Sequence, residues 1–386
     1  MRELVAIDRP GGPGFVEALA AAWADGDAVL PVDQRLPLPA RTRLLDAARP
    51  HAVIGVDGRR RPLSNPGPPV AAEDALVIAT SGTTGVPKLV VHTSEALASH
   101  ARAVHRRLEV GTGDRWLACL PLAHLGGLGV VIRSLLTDTP VDVLPGFDAD
   151  AVGAAPQRFG STLVSLVPTA LDRVDTAPFR CVVVGGAADP GARASNVVRT
   201  YGTTETGGGV VYDGVPLDGV EVRVEDDGSI MIRSSVIARG LRAPDGSVAP
   251  IVDDEGWYPT GDRGAWDGEG SPGKLTVHGR ADDLIVTGGE NVWPTPVEER
   301  IRTHPGVTDV AVVGQPDPEW GQRVVAVIVP APGFEHVGLD DIRTHVREVL
   351  PAPAAPREVR LVDELPRTSL GKVRRGRVAA ELSEGG

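Results

Sequence analysis

The stretch TSGTTGVPK, from Thr80 to Lys88, directly follows the apolar run ALVIA. It places four hydroxyl side chains, two glycines, a proline and a lysine in nine positions. Glycine lets the backbone approach an anion with its amides turned inward, while hydroxyl groups donate hydrogen bonds and lysine supplies positive charge. A Walker loop would end in Gly-Lys-Ser/Thr at the start of a helix, whereas Lys88 follows Pro87 and precedes the apolar residues LVV. The stretch therefore predicts a polyphosphate-binding loop of a different type.

The composition favours a small-molecule substrate. A formal net charge of -12 over 386 residues argues against a nucleic-acid or anionic-membrane partner, since either would need a basic face. No segment reaches the roughly 18 uninterrupted apolar residues of a membrane span, and the N-terminus lacks the apolar core of a signal peptide, so we expect a cytoplasmic protein. Cys119 and Cys181 lie in apolar runs without metal-ligand spacing, which predicts reduced core residues. A homodimer is left open.

The order of apolar segments predicts an α/β protein with two domains. Short strands alternate with helix-like segments over residues 75–207, which is typical of a largely parallel sheet. At residues 220–234, VEVRVEDDGSIMIRS, period-two apolar residues flank an Asp-Asp-Gly turn and predict a β-hairpin. From about Leu284 the order strand, helix, strand, strand, helix, strand predicts a compact α+β domain. We therefore predict a large N-terminal domain, residues 1–281, with α/β sheets and a β-subdomain, and a small C-terminal domain, residues 282–386.

Six further motifs follow the first in order along the chain. They are LPLAHLGG (120–127), GGA (185–187), YGTTE (201–205), YPTGDRG (258–264), GRADDLIVTGGENVWPTPVE (279–298) and PRTSLGK (366–372). Together with TSGTTGVPK they resemble the motifs of the adenylate-forming superfamily, which comprises acyl-CoA synthetases, peptide-synthetase adenylation domains and luciferases. The resemblance covers roughly residue 75 to the end of the chain, and the segment before it looks abridged.

The resemblance implies a reaction that uses ATP, Mg²⁺ and CoA. A carboxylate would attack the α-phosphate of ATP and expel pyrophosphate, so cations must offset the charge of two anions. By resemblance, Lys88 and Lys372 are catalytic cations. Thr204 and Glu205 are catalytic residues beside the α-phosphate, and Glu205 is also the Mg²⁺ ligand, an oxygen donor as that hard ion requires. The implied nucleotide-binding residues are Thr80, Ser81, Gly82, Thr83, Thr84, Gly85, Gly185, Gly186, Ala187, Tyr201, Gly202, Thr203, Asp262 and Arg280.

Individual nucleotide contacts also follow from the resemblance. Tyr201 would stack on the adenine, and Asp262 would accept hydrogen bonds from both ribose hydroxyls. Arg280 would reach the ribose or a phosphate. The chain contains only three lysines, and the third, Lys274, is expected to be a turn residue.

The small domain is mobile in the superfamily and swings about the aspartate that matches Asp282. One closed state would place Lys372 over the phosphates, and a second would clear that space so that a thiol can attack the acyl adenylate. By resemblance, Gly288 and Gly289 then line the tunnel for the pantetheine of CoA.

The acid is predicted from one segment and a few positions. Residues 199–220 resemble the short-form o-succinylbenzoate-CoA ligases of menaquinone biosynthesis, which implies that this acid is activated and transferred to CoA. By resemblance, His124 is a catalytic residue that borders the acyl pocket. The second carboxylate of such an acid needs a cation or donors, for which Arg133, Ser165 and Thr169 are the candidates.

Four alternatives remain open. Two belong to the same superfamily: a ligase for another aryl or acyl acid, and a stand-alone adenylation enzyme that loads a carrier protein. A non-catalytic nucleotide-binding protein is disfavoured by Glu205 and Lys372. A Walker-type ATPase is disfavoured because Gly-Lys-Ser/Thr is missing from the loop.

Overall fold

The computed structural model describes residues 2–80, 87–186, 194–268, 273–334, 336–367 and 373–384. Its strands are β1 (Leu4–Ile7), β2 (Ala28–Pro31), β3 (Ala52–Ile54), β4 (Arg60–Pro62), β5 (Asp74–Thr80), β6 (Lys88–Thr93), β7 (Trp116–Ala118), β8 (Val141–Val143), β9 (Leu163–Leu166), β10 (Cys181–Val184), β11 (Val197–Tyr201), β12 (Val211–Tyr212), β13 (Val215–Pro216), β14 (Val220–Val224), β15 (Ser229–Ser234), β16 (Gly240–Arg242), β17 (Val248–Ala249), β18 (Tyr258–Asp267), β19 (Lys274–Arg280), β20 (Ile285–Thr287), β21 (Glu290–Val292), β22 (Val307–Asp317), β23 (Gly321–Pro330) and β24 (Glu358–Leu361). Its α-helices are α1 (Pro13–Ala24), α2 (Leu38–Ala48), α3 (Ser94–Arg107), α4 (Leu125–Thr137), α5 (Ala149–Phe159), α6 (Pro168–Leu171), α7 (Pro294–Arg302), α8 (Leu339–Arg347) and α9 (Arg375–Glu384). Short 3-10 turns span Ala281–Asp283 and Ala352–Ala354.

Two sheets make up most of the N-terminal part. The first has the strand order β17-β16-β6-β5-β2-β1-β3-β4, in which β1, β2, β3 and β5 run parallel and β6 runs antiparallel to β5. The second has the order β13-β12-β11-β10-β9-β7-β8, and its strands β7 to β11 run parallel. The predicted α/β fold class is confirmed. Loops after parallel strands lie at one edge of each sheet, which is where such folds bind ligands.

Helix α3 shows how the sequence sets its own boundaries. Its N-cap is Thr93, whose hydroxyl accepts the backbone N–H of Ala96 at 3.1 Å. Glu95 lies in the first turn, and Arg106 and Arg107 lie in the last turn, so the charges at both ends favour the helix dipole. The helix buries one face and packs against α4.

Helix α4 is apolar along almost its whole length and is largely buried. It follows His124, which occupies the N-cap position, and it carries Arg133. A Cβ atom at Gly127 would clash with the carbonyl oxygen of Leu120, so this helix can approach the preceding segment closely only with glycine at that position.

The remaining strands form two further sheets. Four strands have the order β14-β15-β18-β19, and the predicted hairpin at residues 220–234 corresponds to β14 and β15. The C-terminal sheet has the order β21-β20-β23-β22, with β24 parallel to β23. Its apolar face and two helices bury a core that includes Ile285, Val297, Ile301, Val310, Val324 and Ile342. The predicted α+β character of the C-terminal part is confirmed.

By its contacts the chain divides into two compact units. The first comprises Met1–Arg223, Met231–Thr260 and Gly268–Lys274, and the second comprises Val224–Ile230, Gly261–Asp267 and Leu275–Gly386. The predicted boundary between residues 281 and 282 and the hinge at Asp282 stay predictions.

The two cysteines and the helices can be compared with what the composition predicts. Cys119 and Cys181 are both buried and unpaired by a disulfide, as expected of core residues. Burial raises the pKa of Cys119 to about 12 and that of Cys181 to about 11, so both stay thiols at neutral pH. In the described ranges, every helix is too short or too polar to cross a bilayer.

A buried ion pair ties the ends of two strands in the first sheet. Asp74, at the start of β5, is 1% exposed. Its two carboxylate oxygens accept hydrogen bonds from the Nε and Nη2 atoms of Arg239, each at 2.8 Å, and one of them also accepts the N–H of Ala71 at 3.0 Å. Arg239 directly precedes β16, so this pair joins two segments that are 165 residues apart.

Helix α3 also carries the half-buried His105, which contacts Trp116. The indole Nε1–H donates to His105 Nε2 at 3.2 Å, so this nitrogen carries no proton. Burial lowers the pKa of His105 to about 4; Arg133 also lowers it, and Asp114 pulls it upward. The imidazole is therefore neutral at pH 7.

Asp74→Asn should destabilise the protein by about 3 kcal/mol, because it removes the buried anion that pairs with the half-buried Arg239. Urea denaturation followed by tryptophan fluorescence measures the change. Asp57→Asn is the matched control, since it breaks an exposed pair with Arg61 and should leave the midpoint almost unchanged. Equal midpoint shifts for the two variants would contradict the assigned role of the buried pair.

Acid should destabilise the fold over the window in which histidine normally titrates. The folded-state pKa values of His105 and His100 are about 4 and about 3, whereas the ordinary value is 6.5. The unfolded chain then binds more protons below pH 6.5, so the free energy of unfolding falls as the pH drops from about 7 to about 5. His105→Gln should reduce this pH dependence. An unchanged dependence in that variant would show that His105 does not cause it.

Candidate functional site

The carboxyl edge of the second sheet gathers several predicted site residues. Strand β10 ends at Val184 and is followed by Gly185 and Gly186, while its neighbour β11 ends at Tyr201. On the other side of β10, β9 contains Ser165. These strands are parallel, so the segments that follow them lie at the same edge, the usual ligand position of open α/β sheets.

The loop of residues 202–209, which contains most of the YGTTE motif, is closed by its own hydrogen bonds. The Thr206 hydroxyl accepts the N–H of Thr203 at 2.8 Å and donates to the carbonyl of Gly208 at 2.7 Å. A Cβ atom at Gly202 would clash with that same carbonyl, and Gly208 has a φ of 122°, which other residues rarely adopt. The 202–209 loop therefore has little freedom to change shape.

Two buried histidines fasten the 202–209 loop to the rest of its unit. His92 Nε2 donates to the carbonyl of Thr204 at 2.9 Å, and His100 Nε2 donates to the carbonyl of Gly209 at 2.9 Å. A carbonyl oxygen only accepts, so Nε2 carries the proton in both rings. Burial lowers the pKa of His92 to about 4 and that of His100 to about 3, so both rings are neutral at pH 7. The backbone on both sides of Glu205 is thereby fixed.

The Glu205 side chain fits the predicted Mg²⁺ ligand. It is half-buried, and among the described residues its carboxylate makes no hydrogen bond and no ion pair. Within the same residues, no group of three or more His, Cys, Asp and Glu side chains could hold a metal ion. A Mg²⁺ ion would thus combine Glu205 with phosphate oxygens and water, which is the usual coordination of this ion beside a nucleotide.

The predicted adenine-binding segment leaves no room for side chains at Gly185 and Gly186. A Cβ atom at Gly185 would lie 2.5 Å from the Thr200 hydroxyl, and Gly186 has a φ of 86°. Both positions therefore require glycine, which leaves the backbone accessible to a flat ring. Tyr201 is half-buried next to them, and the Thr203 hydroxyl donates to the hydroxyl of Tyr258 at 3.5 Å.

The ends of the TSGTTGVPK stretch are paired across the β5–β6 hairpin. Thr80 and Lys88 are cross-strand partners, and the Lys88 side chain is exposed. The predicted site residues that lie outside the described residues are Ser81, Gly82, Thr83, Thr84, Gly85, Ala187 and Lys372.

The predicted acyl-pocket residues occupy different surroundings. His124 contacts Asp33, with 3.2 Å between Nε2 and Oδ2. Ser165 is buried, and its carbonyl accepts the thiol of Cys119 at 3.8 Å, whereas Thr169 is exposed on α6. The structure thus reveals a histidine–carboxylate contact that joins segments 91 residues apart.

Arg133 is buried without an anion. Its side chain is 6% exposed, and its guanidinium lies over the Trp116 ring, 4.7 Å from the centroid. Its Nε has no hydrogen-bond partner, and no ion pair to Arg133 occurs within the described part of the chain. Burial lowers the pKa of this guanidinium, which shows how poorly its charge is solvated. A buried cation in these surroundings favours binding of an anion.

In the second unit, Asp262 and Arg280 lie together. Arg280 Nη1 donates to Asp262 Oδ1 at 3.4 Å, and Asp262 is buried. A Cβ atom at Gly261 would come within 2.8 Å of the Arg280 guanidinium, so glycine at this position makes room for the pair. Two residues predicted to contact ribose are therefore close to each other.

The other predicted residues of this unit lie on turns. Asp282 is in the 3-10 turn Ala281–Asp283. Gly288 and Gly289 connect β20 to β21 with φ values of 59° and 81°, and a Cβ atom at Gly288 would lie 2.7 Å from the Trp320 ring. Glycine is thus required at Gly288 by both its backbone and its neighbour.

The contacts of a half-buried arginine near the C-terminus, Arg375, were not predicted from the sequence. Arg375 Nη2 donates to Glu298 Oε2 at 2.7 Å, and its Nη1 donates to Asp283 Oδ2 at 3.0 Å. Burial alone would lower the pKa of Arg375, but Glu298 and Asp283 raise it overall. This contact links the segment just after Lys372 to the residue just after Asp282.

Sequence reasoning also missed His92, His100 and Asp33. His92 carried a usable signal, because a histidine inside the buried strand LVVH must satisfy its polar ring by a hydrogen bond. The contacts of His100 and Asp33 depend on residues distant in sequence, for which the local pattern contains no signal.

Comparison with known proteins identifies both parts of the chain. The AMP-binding enzyme family matches residues 58–281, and the AMP-binding enzyme C-terminal domain matches residues 296–372. A probable 2-succinylbenzoate–CoA ligase of Mycobacterium tuberculosis is 42% identical over 362 residues, covering 88% of this chain and 93% of that protein. A 2-succinylbenzoate–CoA ligase of Listeria monocytogenes is 33% identical over 331 residues, covering 79% of this chain and 69% of that protein.

A solved structure agrees with these relatives. The o-succinylbenzoate CoA synthetase (MenE) of Bacillus subtilis, in complex with the acyl-adenylate intermediate OSB-AMP, has a TM-score of 0.82 and 25% identity, covering 97% of this chain and 88% of that one. The resemblance predicted from the seven motifs is confirmed. The chain belongs to the AMP-binding enzyme family, within the adenylate-forming superfamily.

Proposed function

We propose that the protein is an ATP-dependent, AMP-forming acid–CoA ligase that activates o-succinylbenzoate in menaquinone biosynthesis. Its support is the similarity to ligases named for this acid over most of the chain, together with the buried guanidinium of Arg133. The activity would be cytoplasmic, where ATP and CoA are available.

The first half-reaction joins two anions. One carboxylate of the acid attacks the α-phosphate, the bond to the β-phosphate breaks, and pyrophosphate leaves. The 202–209 loop would present the Thr203 and Thr204 hydroxyls and the Glu205 carboxylate to this phosphate. Its fixed backbone means that these groups need no rearrangement during the reaction, which is the basis of electrostatic preorganisation. When bound at Glu205, Mg²⁺ would neutralise phosphate charge.

The nucleotide would be held by residues from several elements. Gly185, Gly186 and Tyr201 would border the adenine, and Asp262 and Arg280 would bind the ribose. The Thr80–Lys88 stretch, with Lys88 as its cation, would bind the β- and γ-phosphates and so stabilise pyrophosphate as it leaves. The γ-phosphate would not be transferred; it would leave as part of pyrophosphate.

Arg133 is the observation that favours a dianionic acid. The single carboxylate of a monocarboxylic acid would react at the α-phosphate, so Arg133 would stay buried without an anion. The second carboxylate of o-succinylbenzoate would supply the missing anion and a charge-assisted hydrogen bond. Helix geometry puts Arg133 nine residues, or about 13 Å, beyond His124, so only the end of the acid remote from the reacting carboxylate would reach it.

The second half-reaction would need a different closed state. We propose that Lys372 leaves the α-phosphate as the small domain turns about Asp282, and that Gly288 and Gly289 then border the path of the CoA thiol. The thiolate would attack the acyl carbon, and AMP would leave. Arg375, three residues after Lys372 in the sequence, would hold its own segment against the Asp282 turn, because it binds Asp283.

Arg133→Gln should raise the KM for o-succinylbenzoate about 10- to 100-fold, the value of a hydrogen bond to a charged group, and leave the KM for ATP nearly unchanged. Steady-state assays that detect the CoA thioester, run with o-succinylbenzoate and with benzoate, measure both effects. Arg133→Lys should recover part of the loss.

Arg158→Gln is the matched control, since it removes an arginine that stacks on Phe159. Benzoate turnover equal to that of o-succinylbenzoate in the wild type would contradict the assigned acid. An unchanged KM in Arg133→Gln would contradict the assigned pocket.

Lys372→Ala should reduce acyl-adenylate formation by at least about 100-fold, as expected for loss of a charge that acts in the transition state. It should leave thioester formation from chemically prepared acyl adenylate nearly intact. ATP–pyrophosphate exchange and thioester formation measure the two steps separately. Lys274→Ala should leave both at wild-type levels. Equal losses in both steps for Lys372→Ala would rule out two closed states.

A further inference from the structure

Asp33 is a buried carboxylate just beyond the end of β2. Its Oδ1 accepts the backbone N–H of Arg35 at 3.0 Å and the Nε of Arg35 at 2.9 Å. Its Oδ2 accepts Arg35 Nη2 at 2.8 Å and faces His124 Nε2 at 3.2 Å. The residue is 6% exposed, so few water molecules compete for these contacts.

The charge state of Asp33 follows from these contacts. Burial alone would raise the pKa of Asp33, but the hydrogen bonds from His124 and Arg35 outweigh burial and hold this pKa well below its usual range. The carboxylate is therefore ionised and can only accept hydrogen bonds. A hydrogen bond from His124 to this carboxylate therefore requires a proton on Nε2.

His124 also has a fixed backbone. Its carbonyl accepts the N–H groups of Gly127 at 3.1 Å and Leu128 at 2.8 Å, so it caps the first turn of α4. With the backbone held by α4 and the ring held by Asp33, the imidazole has one orientation and one tautomer. Asp33, which follows β2 of the first sheet, thereby fixes the orientation of the His124 side chain. His124 directly precedes α4, the helix that carries Arg133.

We propose that Asp33 is a positioning residue for the acid site, which acts by fixing the orientation and tautomer of His124. This inference rests on the proposed function, in which His124 borders the acyl pocket. Asp33 itself does not touch the acid. Its loss would let the ring of His124 rotate and change the shape and the hydrogen-bonding groups of the pocket, while the nucleotide residues of the 202–209 loop would stay in place.

A double-mutant cycle of Asp33→Asn and His124→Gln tests this role. Asp33→Asn should raise the KM for o-succinylbenzoate about 10-fold, within the range of a charged hydrogen bond, and leave the KM for ATP within about two-fold. In the His124→Gln background the same change should have no further effect, because Asp33 acts only through that ring. Equal effects of Asp33→Asn in both backgrounds would overturn the proposal.

Asp114→Asn is the matched control for loss of a buried carboxylate. Asp114 is 7% exposed and accepts Arg180 Nε at 2.8 Å and Nη2 at 2.7 Å, so the two variants lose similar ion pairs. Asp114→Asn should leave the KM for the acid unchanged. A similar rise in that variant would show that general destabilisation, rather than His124, causes the effect, and would overturn the proposal.

The wild-type protein provides a test that needs no folded Asp33 variant. Long-range ¹H–¹⁵N correlation spectra, with His124→Gln used to assign the signal, should show the proton of His124 on Nε2. A proton on Nδ1 would overturn the inference while leaving the proposed ligase activity standing. A wild-type protein that forms no CoA thioester from any acid would instead overturn the proposed function, and this inference with it.

Discussion

Two hydrogen bonds from buried imidazoles to backbone carbonyls, His92 to Thr204 and His100 to Gly209, hold the loop around which the candidate site is arranged. Without His100 the Gly209 carbonyl would lose its donor, at a cost of about 1 to 3 kcal/mol. The Thr204 carbonyl also accepts the N–H of Gly207 at 3.1 Å, so the loss of His92 would cost less there. Because the rings are neutral, they add no positive charge beside the proposed Mg²⁺ site at Glu205. The two hydrogen bonds thus act by holding the backbone in place, and they fix the position of Glu205.

The proposed site is rich in cations although the protein as a whole is acidic. The chain carries a net charge of -12, yet the residues proposed to face phosphates and carboxylates include Lys88, Arg133, Arg280 and Lys372. An excess of acidic residues repels anions at long range, so affinity must come from a few cations placed at short range. Arg133 illustrates the cost, since burial lowers its pKa and no described anion offsets the loss of hydration. The second carboxylate of the proposed acid would supply the missing anion.

Much of the fold was predictable because it is encoded locally. Alternating apolar segments indicated the α/β part, and the period-two run at residues 220–234 indicated a hairpin. The predicted C-terminal order occurs in the structure as β20, α7, β22, β23, α8 and β24, but β21 and α9 were not predicted. Several motif glycines are required by the structure: Gly186 by its φ of 86°, Gly185 by the nearby Thr200 hydroxyl, and Gly202 by the nearby Gly208 carbonyl.

The contacts between distant segments were not predictable in the same way. Nothing near Asp33 indicates that it meets His124, and nothing near Arg375 indicates that it meets Glu298 and Asp283. Such pairs depend on which loops converge at a sheet edge, and register and topology decide that. Arg133 was selected for its charge, but its burial over Trp116 could be learned only from the packing of α4.

The proposed reaction can be tested by following the transfer of an oxygen isotope from the acid to the products. When o-succinylbenzoate labelled with ¹⁸O in its carboxylates is converted to the CoA thioester, one labelled oxygen should pass to AMP and none to pyrophosphate. Mass spectrometry of the products measures this transfer. Formation of ADP, or of AMP without the label, would show that no acyl adenylate is formed and would contradict the proposed reaction.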